Sequence, residues 1–321
     1  MKVSVCIPVY GVEKYIERCA RSLFEQTMLY GIEFIFVDDC TPDRSMEILT
    51  EVLQEYPHRK EQVKIVRHEQ NKGLTGARNT ALAHASGDYI IHCDSDDWVD
   101  AGLYETMYNR AVETGADVVC CGIVLELGTR QKRLNLTGQN MDELFFNAFQ
   151  TVEFNSLCNK LFARSAALAS DLTVPDHIIM AEDLLRTTQM FLKCNKLEMC
   201  TEYNYHYLYN NLSSSSLYFS RKAFDASRQV LEILLEKLPE KYCEISEACK
   251  GQILFSALRL ADFSPAEFKS LAVEKGHVKI LFNRYLSLEK RLMLFLALFS
   301  YPLARFCTIN AVAAVLKFSR G

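Results

Sequence analysis

Apolar positions along the first 125 residues follow two alternating rhythms. "KVSVCIPVY" (2–10) is a continuous β-rich run, whereas "GVEKYIERCARSLFEQT" places Val12, Tyr15, Ile16, Cys19 and Leu23 at helical spacing. The alternation then repeats. "IEFIFVDD" (32–39) is a strand pattern and "TPDRSMEILTEVLQEY" a helix pattern, with Thr41 as a candidate N-cap and Pro42 at the first helical position. "VKIVRH" (63–68), "DYIIHC" (88–93) and "ADVVCCGIVLEL" (116–127) read as further strands, separated by "TGARNTALAHAS" and "AGLYETMYNRAVETG" as helices. Apolar strands alternating with amphipathic helices predict an α/β fold: a Rossmann-like, mostly parallel sheet covered by helices on both faces. In such sheets ligands bind beyond the carboxyl ends of the strands. Those ends carry Pro8-Val9-Tyr10, Asp38-Asp39 and Asp94-Ser95-Asp96-Asp97, so acids far apart in sequence are expected to converge on one crevice.

Beyond the alternation the pattern loosens. Residues 128–150 suit an inserted loop and helix; "SLCNKLFARSAAL" and "EDLLRTTQMFLKC" read as helices, and "LEMCTEYNYHYLYN" as strands. The polar stretch "NNLSSSS" (210–216) reads as a flexible break, and the remainder is helical in pattern. The expected organisation is a catalytic-type domain over residues 1–215, with halves of about 1–125 and 126–215, followed by a helical C-terminal extension over 216–321.

Composition changes this picture only at the end of the chain. The 321 residues are 49% hydrophobic and 24% charged, with a formal net charge of −4, so no overall basic field points to nucleic acid. The twelve cysteines form no paired CxxC motif, and Cys6, Cys93, Cys120 and Cys121 sit in apolar strand runs, where a thiol acts as a small hydrophobe. Met1-Lys2 runs straight into a strand pattern, which predicts a cytoplasmic protein without a secretory signal. From Gly276 onward, however, seven basic residues stand against the single acid Glu289, a net +6 that leaves −10 for the preceding 275 residues. The same segment holds "RLMLFLALFSYPLARF" and "INAVAAVLKF", each too short to span a bilayer, and Pro302 interrupts them. Two readings stand: peripheral contact with the inner face of the cell membrane, or a helical cap packed on the main domain.

Several chemistries are excluded by motif. The first strand-to-helix turn, "PVYGVEKY", has one glycine rather than G-x-G-x-x-G; no P-loop, H-E-x-x-H or G-x-S-x-G sequence occurs. Carboxylate chemistry remains. Asp94, Asp96, Asp97 and Asp100 fall within seven positions at the end of a strand, and like charges this close repel unless a cation or a structural role compensates. Carboxylates select hard divalent cations, which commonly also bind substrate phosphates. Helix capping accounts better for Asp100 than for Asp94 and Asp96.

Together, "SVCIPVYGVEKYIERCARSLFEQT", "IEFIFVDDCTPDRSMEIL" and "NKGLTGARNTALAHASGDYIIHCDSDDWV" resemble the nucleotide-binding half of glycosyltransferase family 2. "CNKLFARSAAL" and "MAEDLLRTTQMF" resemble the acceptor half of that family's bacterial capsule and lipopolysaccharide transferases. The resemblance implies a GT-A fold and an inverting, metal-dependent transfer from a nucleotide-diphosphate sugar, UDP-linked, to a glycan or lipid-linked acceptor in cell-surface polysaccharide synthesis. It also implies roles. Pro8, Val9 and Tyr10 line the nucleoside pocket; Asp39 bonds the pyrimidine with Asp38 beside it; Arg78 sits near the nucleotide. Asp94, Ser95 and Asp96 form the D-x-D motif, with Asp96 and Asp94 holding Mn²⁺ or Mg²⁺. Asp183, preceded by Glu182, is the general base. Gly11, where the family often has Asn, and "CTPD" in place of a Gly-Ser-Thr-Asp turn depart from the pattern.

Other readings remain open at this level. Glu182 and Asp183 also suit the first turn of a helix, and Arg78 a surface salt bridge. Lys160 could meet a diphosphate or merely solvate a helix face, and His206 could contact phosphate or be a satisfied sheet residue. The competing functions are a sugar nucleotidyltransferase, which needs a glycine-rich, lysine-bearing phosphate loop that "PVYGVEKY" hardly supplies, and a non-catalytic nucleotide-binding scaffold.

Overall fold

A computed structural model describes residues 2–134, 155–169, 174–176, 178–209, 221–259, 263–274, 282–283 and 286–308. The chain divides into two compact units, Met1–Ser214 and Ser215–Gly321. The expected break at 210–216 lies outside the described residues.

The first unit is built on the strands β1 (Val3–Val9), β2 (Ile32–Asp38), β3 (Val63–Arg67) and β4 (Tyr89–His92), parallel in the order β3-β2-β1-β4. Every residue of β1 and β2 is buried, as a sheet covered on both faces requires. The helices α1 (Ile16–Phe24), α2 (Ser45–Glu55) and α3 (Gly73–His84) supply that cover. From α1, Ile16, Cys19, Ala20, Leu23 and Phe24 are buried, and the Phe24 ring meets Phe34 of β2 edge-on at 5.8 Å. Register pairs Val9 with Asp38 and Cys6 with His92, so the loops after all three strands open at one edge. Just before β4, Gly87 is required by space: a Cβ there would lie 2.7 Å from the Ser4 backbone nitrogen. Cys6, Cys93, Cys120 and Cys121 are buried free thiols.

The sheet then changes character. After β5 (Trp98–Val99), α4 (Leu103–Thr114), β6 (Val118–Leu127) and β7 (Arg130–Leu134) comes β8 (Lys160–Ala163), which lies between β4 and β6 and is antiparallel to both. Following α5 (Arg164–Ala169) and α6 (Glu182–Lys193), β9 (Leu197–Leu208) returns parallel to β6 and pairs antiparallel with β5. The sheet is therefore mixed.

Three expectations need correction. "KLFA" is a strand rather than part of a helix: Lys160, Leu161 and Phe162 are buried in succession, as a strand flanked on both edges demands, and periodicity cannot separate so short an apolar run from a helix. Residues 130–134, expected in a loop, form an edge strand on β6, with Gly128 at φ +72° in the turn; 135–150 lie outside the described residues. Helix α2 starts at Ser45, not Pro42, because Asp43 accepts from the Ser45 amide and hydroxyl while the Thr41 hydroxyl accepts from Gly11 N–H.

The second unit is helical, with α7 (Arg221–Lys237), α8 (Cys243–Ala257), α9 (Pro265–Glu274), α10 (Leu288–Phe299) and a further helix over 301–308. Helix α8 packs on α7, α9 and α10, with Val230, Leu234, Leu254, Leu258, Leu294 and Ala304 at the centre. Among the described residues no helix is long and apolar enough to cross a membrane. "INAVAAVLKF" lies outside them.

Candidate active site

Strand β4 ends at His92, and the chain turns sharply, Asp97 N–H donating to the Asp94 carbonyl at 3.1 Å. The turn splits the acidic cluster. Asp97 points inward, fully buried, and accepts from the Tyr205 hydroxyl (2.6 Å) and the Leu208 amide (2.7 Å); the Tyr205 hydroxyl in turn accepts from Asp94 N–H at 3.2 Å. Asp97 thus anchors the turn to β9. Burial, then the charges of Asp96 and Asp94, push its carboxyl well above the ordinary range. Asp94 and Asp96 remain half-buried at the sheet edge and Ser95 is buried between them. Burial and then the Asp94 charge raise Asp96 to about 6, partly opposed by Arg18 and Arg78. Asp100 does not cap α4 with its side chain, since no side-chain cap exists there. It faces His206 instead, at 3.2 Å.

Arg78 joins the two ends of the site. It stands on α3, only 1% exposed, and its guanidinium donates to Asp94 (2.7 Å), Glu182 (3.1 Å) and Asp183. Burial alone would lower its pKa, but Asp183, Asp94 and Glu182 together outweigh burial and hold it firmly protonated. A surface salt bridge is thereby ruled out. The same contacts bring Glu182 and Asp183 to the acidic turn, although 86 or more positions separate them from Asp96 in sequence. Both open α6, directly after Ala181 at φ +63°, a conformation that costs a non-glycine residue energy and that clusters at functional sites. The Asp183 carboxyl keeps 29% of its surface open and Asp94 25%. Burial raises Asp183 above the ordinary carboxylate value, Arg78 opposing.

At the first two strand ends, Tyr10 is 52% exposed at the sheet edge. Val9 does not open toward a ligand: its side chain lies in the core, and its carbonyl accepts from Asp39 N–H. Pro8 is buried too, paired in register with Val37. Asp38 accepts from Thr41 N–H and faces Arg67 at 3.3 Å. One oxygen of the buried Asp39 is occupied by His68 (2.6 Å) and Lys72 N–H (2.8 Å). Cys40, next in the chain, is at φ +61°. The two non-glycine positive-φ residues among those described thus adjoin candidate site acids.

Sequence reasoning missed Tyr205 and Arg18. Arg18 stacks on Trp98 at 3.5 Å and donates to the Asp96 carbonyl; its place on the α1 face toward the turn gave no periodic signal. His206 stacks on Trp98 at 5.0 Å, with Glu126 (2.7 Å) on Nδ1 and Asp100 on Nε2, so it is a satisfied sheet residue. Lys160 does not solvate a helix face: it is buried at the start of β8, its ammonium on the Ser156 carbonyl (2.6 Å) and Asn159 (2.8 Å), and burial lowers it to about 8.

An acidic turn at the end of β4 thus faces a second acid pair across a buried arginine. Comparison with known proteins decides the family. Residues 4–168 match the sequence profile of Glycosyl transferase family 2. The chain belongs to this family. Its family 2 relatives include the uncharacterised glycosyltransferase EpsJ of Bacillus subtilis (strain 168), 33% identical over 216 residues, which cover 65% of this chain and 61% of that protein. The poly(ribitol-phosphate) beta-glucosyltransferase of Bacillus spizizenii is 32% identical over 218 residues, 65% of this chain and 32% of its own length. The chain therefore spans less than two thirds of either relative. In fold, it resembles the crystal structure of S. aureus TarS 1-349 in complex with UDP-GlcNAc, with a TM-score of 0.72 at 19% identity, covering 98% of this chain and 92% of that one. At that identity the likeness establishes the GT-A fold of the family 2 enzymes, here with its helical C-terminal region.

Proposed function

We propose that this chain transfers a sugar, with inversion, from a UDP-linked donor to a hydroxyl of a glycan or lipid-linked acceptor in cell-surface polysaccharide synthesis, working from the cytoplasm at the inner face of the membrane. The observation that carries the reading is Arg78, which holds Asp94 and the Glu182–Asp183 pair on one guanidinium. Inverting transfer needs those two functions close together: carboxylates at the diphosphate, and a base on the opposite face of the sugar. The names of the relatives support a cell-surface polymer as acceptor, and the TarS complex supports a UDP-sugar donor.

The acceptor hydroxyl oxygen bonds the anomeric carbon while the bond from that carbon to the diphosphate breaks, its electron pair leaving with UDP. Asp183 takes the hydroxyl proton; its raised pKa suits it to that task near neutral pH. Glu182 and Arg78 orient it. In this reading Tyr10 meets the base, Asp38 and Asp39 contribute to the nucleoside pocket, and Ser95 lies at the diphosphate. Asp94 and Asp96 fit a divalent cation, because they are hard oxygen donors, and burial, then the Asp94 charge, already lifts Asp96 to about 6. Among the described residues no group of three or more His, Cys, Asp or Glu side chains could hold a metal ion; the residues that would hold one in this reading are Asp94 and Asp96. Bound there, Mn²⁺ or Mg²⁺ would neutralise charge developing on the leaving diphosphate.

The test is UDP release from a panel of UDP-sugars by the purified protein with Mn²⁺, read beside thermal stabilisation by each donor. Turnover should require the metal and fall by about 10²-fold or more in Asp96→Ala. Turnover unchanged by that substitution would sink the assignment. Pyrophosphate release from UTP and a sugar phosphate would instead make the chain a nucleotidyltransferase, and donor binding without turnover a scaffold.

A further inference from the structure

Helix α10 presents two apolar faces. Leu294 and Ala297 turn into the helical unit and are buried. On the other side Leu288, Leu292, Phe295 and Phe299 are 63%, 52%, 51% and 75% exposed. Steps of four, three and four residues put them on one stripe, and the rings of Phe295 and Phe299 meet at 5.1 Å. Leu298 borders the stripe; Leu303 and Phe306 are also exposed on the following helix. A surface helix ordinarily turns polar residues outward, and a contiguous exposed apolar patch marks an interaction surface.

Charge says which surface. Arg291 and Arg305, on the same two helices, make no ion pair among the described residues, and the whole segment from Gly276 carries seven basic residues against Glu289. A symmetric contact with a second copy would set Arg291 and Arg305 against the same arginines of that copy. An anionic bilayer offers what both components need: an acyl boundary for the leucines and phenylalanines and phosphate headgroups for the arginines. Twelve residues of helix are too few to cross, but suffice to lie in the interface.

We infer that Leu288, Leu292, Phe295 and Phe299, extended by Leu303, form a membrane-docking stripe that inserts into the headgroup region of an anionic lipid surface. The stripe gives physical form to the membrane location proposed above, and it can be tested without any sugar transfer.

Full-length protein is floated with vesicles of phosphatidylcholine alone or mixed with phosphatidylglycerol. The wild type should float with the mixed vesicles and far less with phosphatidylcholine, and high salt should weaken it. Arg291→Gln and Arg305→Gln should each weaken binding about fivefold. Leu292→Glu with Phe295→Glu and Phe299→Glu should abolish flotation, with the melting temperature and donor-driven UDP release retained, since these side chains are exposed. The inference is overturned if the triple variant floats like wild type or if the wild type fails to float with anionic vesicles. Light scattering that shows a dimer, dispersed by the same triple substitution without any lipid binding, would assign the stripe to a second copy. Loss of UDP release in every protein, with flotation intact, would fault the proposed function and leave the docking stripe standing.

Discussion

Replacing Asp96 by asparagine should make the free protein more stable while ending the metal-dependent turnover proposed for it. In the fold Asp96 titrates near 6 instead of its ordinary 3.8, because burial and then the Asp94 charge oppose its ionisation. A pKa raised on folding means that the ionised group weakens the native state. The shift is about 2 units, and at 1.36 kcal/mol per unit the ionised carboxylate costs the fold up to about 3 kcal/mol. Asp96 is half-buried, so solvent screening brings the expected gain to about 1–3 kcal/mol. For a unit the size of Met1–Ser214, each kcal/mol moves the melting temperature by about 2–4 °C, giving a rise of roughly 2–12 °C.

The pH dependence carries the sign. Below 3.8 the carboxyl is protonated in both folded and unfolded chains, and the substitution gains nothing. The cost grows between 3.8 and about 6 and is fully present above that. Melting curves of wild type and Asp96→Asn in chelator should therefore differ most at pH 8, less at pH 6 and least at pH 4. Adding Mn²⁺ with UDP should close the gap by raising the wild type alone, because the cation removes the repulsion that the asparagine removed. The reasoning is refuted if Asp96→Asn melts no higher than wild type at pH 8 without metal. Strained electrostatics of this kind is what a site holds in reserve for its ligand.

Three other substitutions test separate parts of the structure. Asp183→Asn should leave UDP affinity within a few-fold while lowering transfer by about 10²–10⁴-fold; in the wild type, kcat/KM should fall as pH drops through the raised pKa of this base, and lost UDP binding in the variant would remove Asp183 from that role. Gly87→Ala should cost about 1–3 kcal/mol, because its Cβ would press on the Ser4 backbone; an unchanged melting temperature would contradict that close approach. Tyr205→Phe strips the buried Asp97 of its hydroxyl donor and should cost about 1–3 kcal/mol, which chemical denaturation would measure.

The parallel half of the sheet was legible because its strands are buried on both faces and alternate with helices at distinct periods. Strand β8 was not. Four residues between two neighbours carry no period, and their partners on β4 and β6 lie 40 to 74 positions away in sequence, brought together only by the fold. The acidic turn was legible for a similar reason to the sheet: four carboxylates in seven positions are improbable without a cation or a structural duty. Sequence could not divide them between those two fates. That division depends on partners such as Tyr205, 108 positions from Asp97, and His206, 106 from Asp100. Arg78 makes the same point most sharply, since its partners stand 16, 104 and 105 positions away, and nothing local separates a buried charge hub from a solvated arginine. Residue type tells which side chains are capable of chemistry. Which of them remain available depends on the bonds they already make: Asp97 is enclosed by Tyr205 and Leu208, and His206 by Glu126 and Asp100, whereas Asp94 and Asp183 share Arg78 yet keep open surface, and Asp96 is half-buried with its carboxyl pushed up by burial and the Asp94 charge. A carboxylate that the fold leaves strained and reachable is one whose compensation must arrive with the substrate.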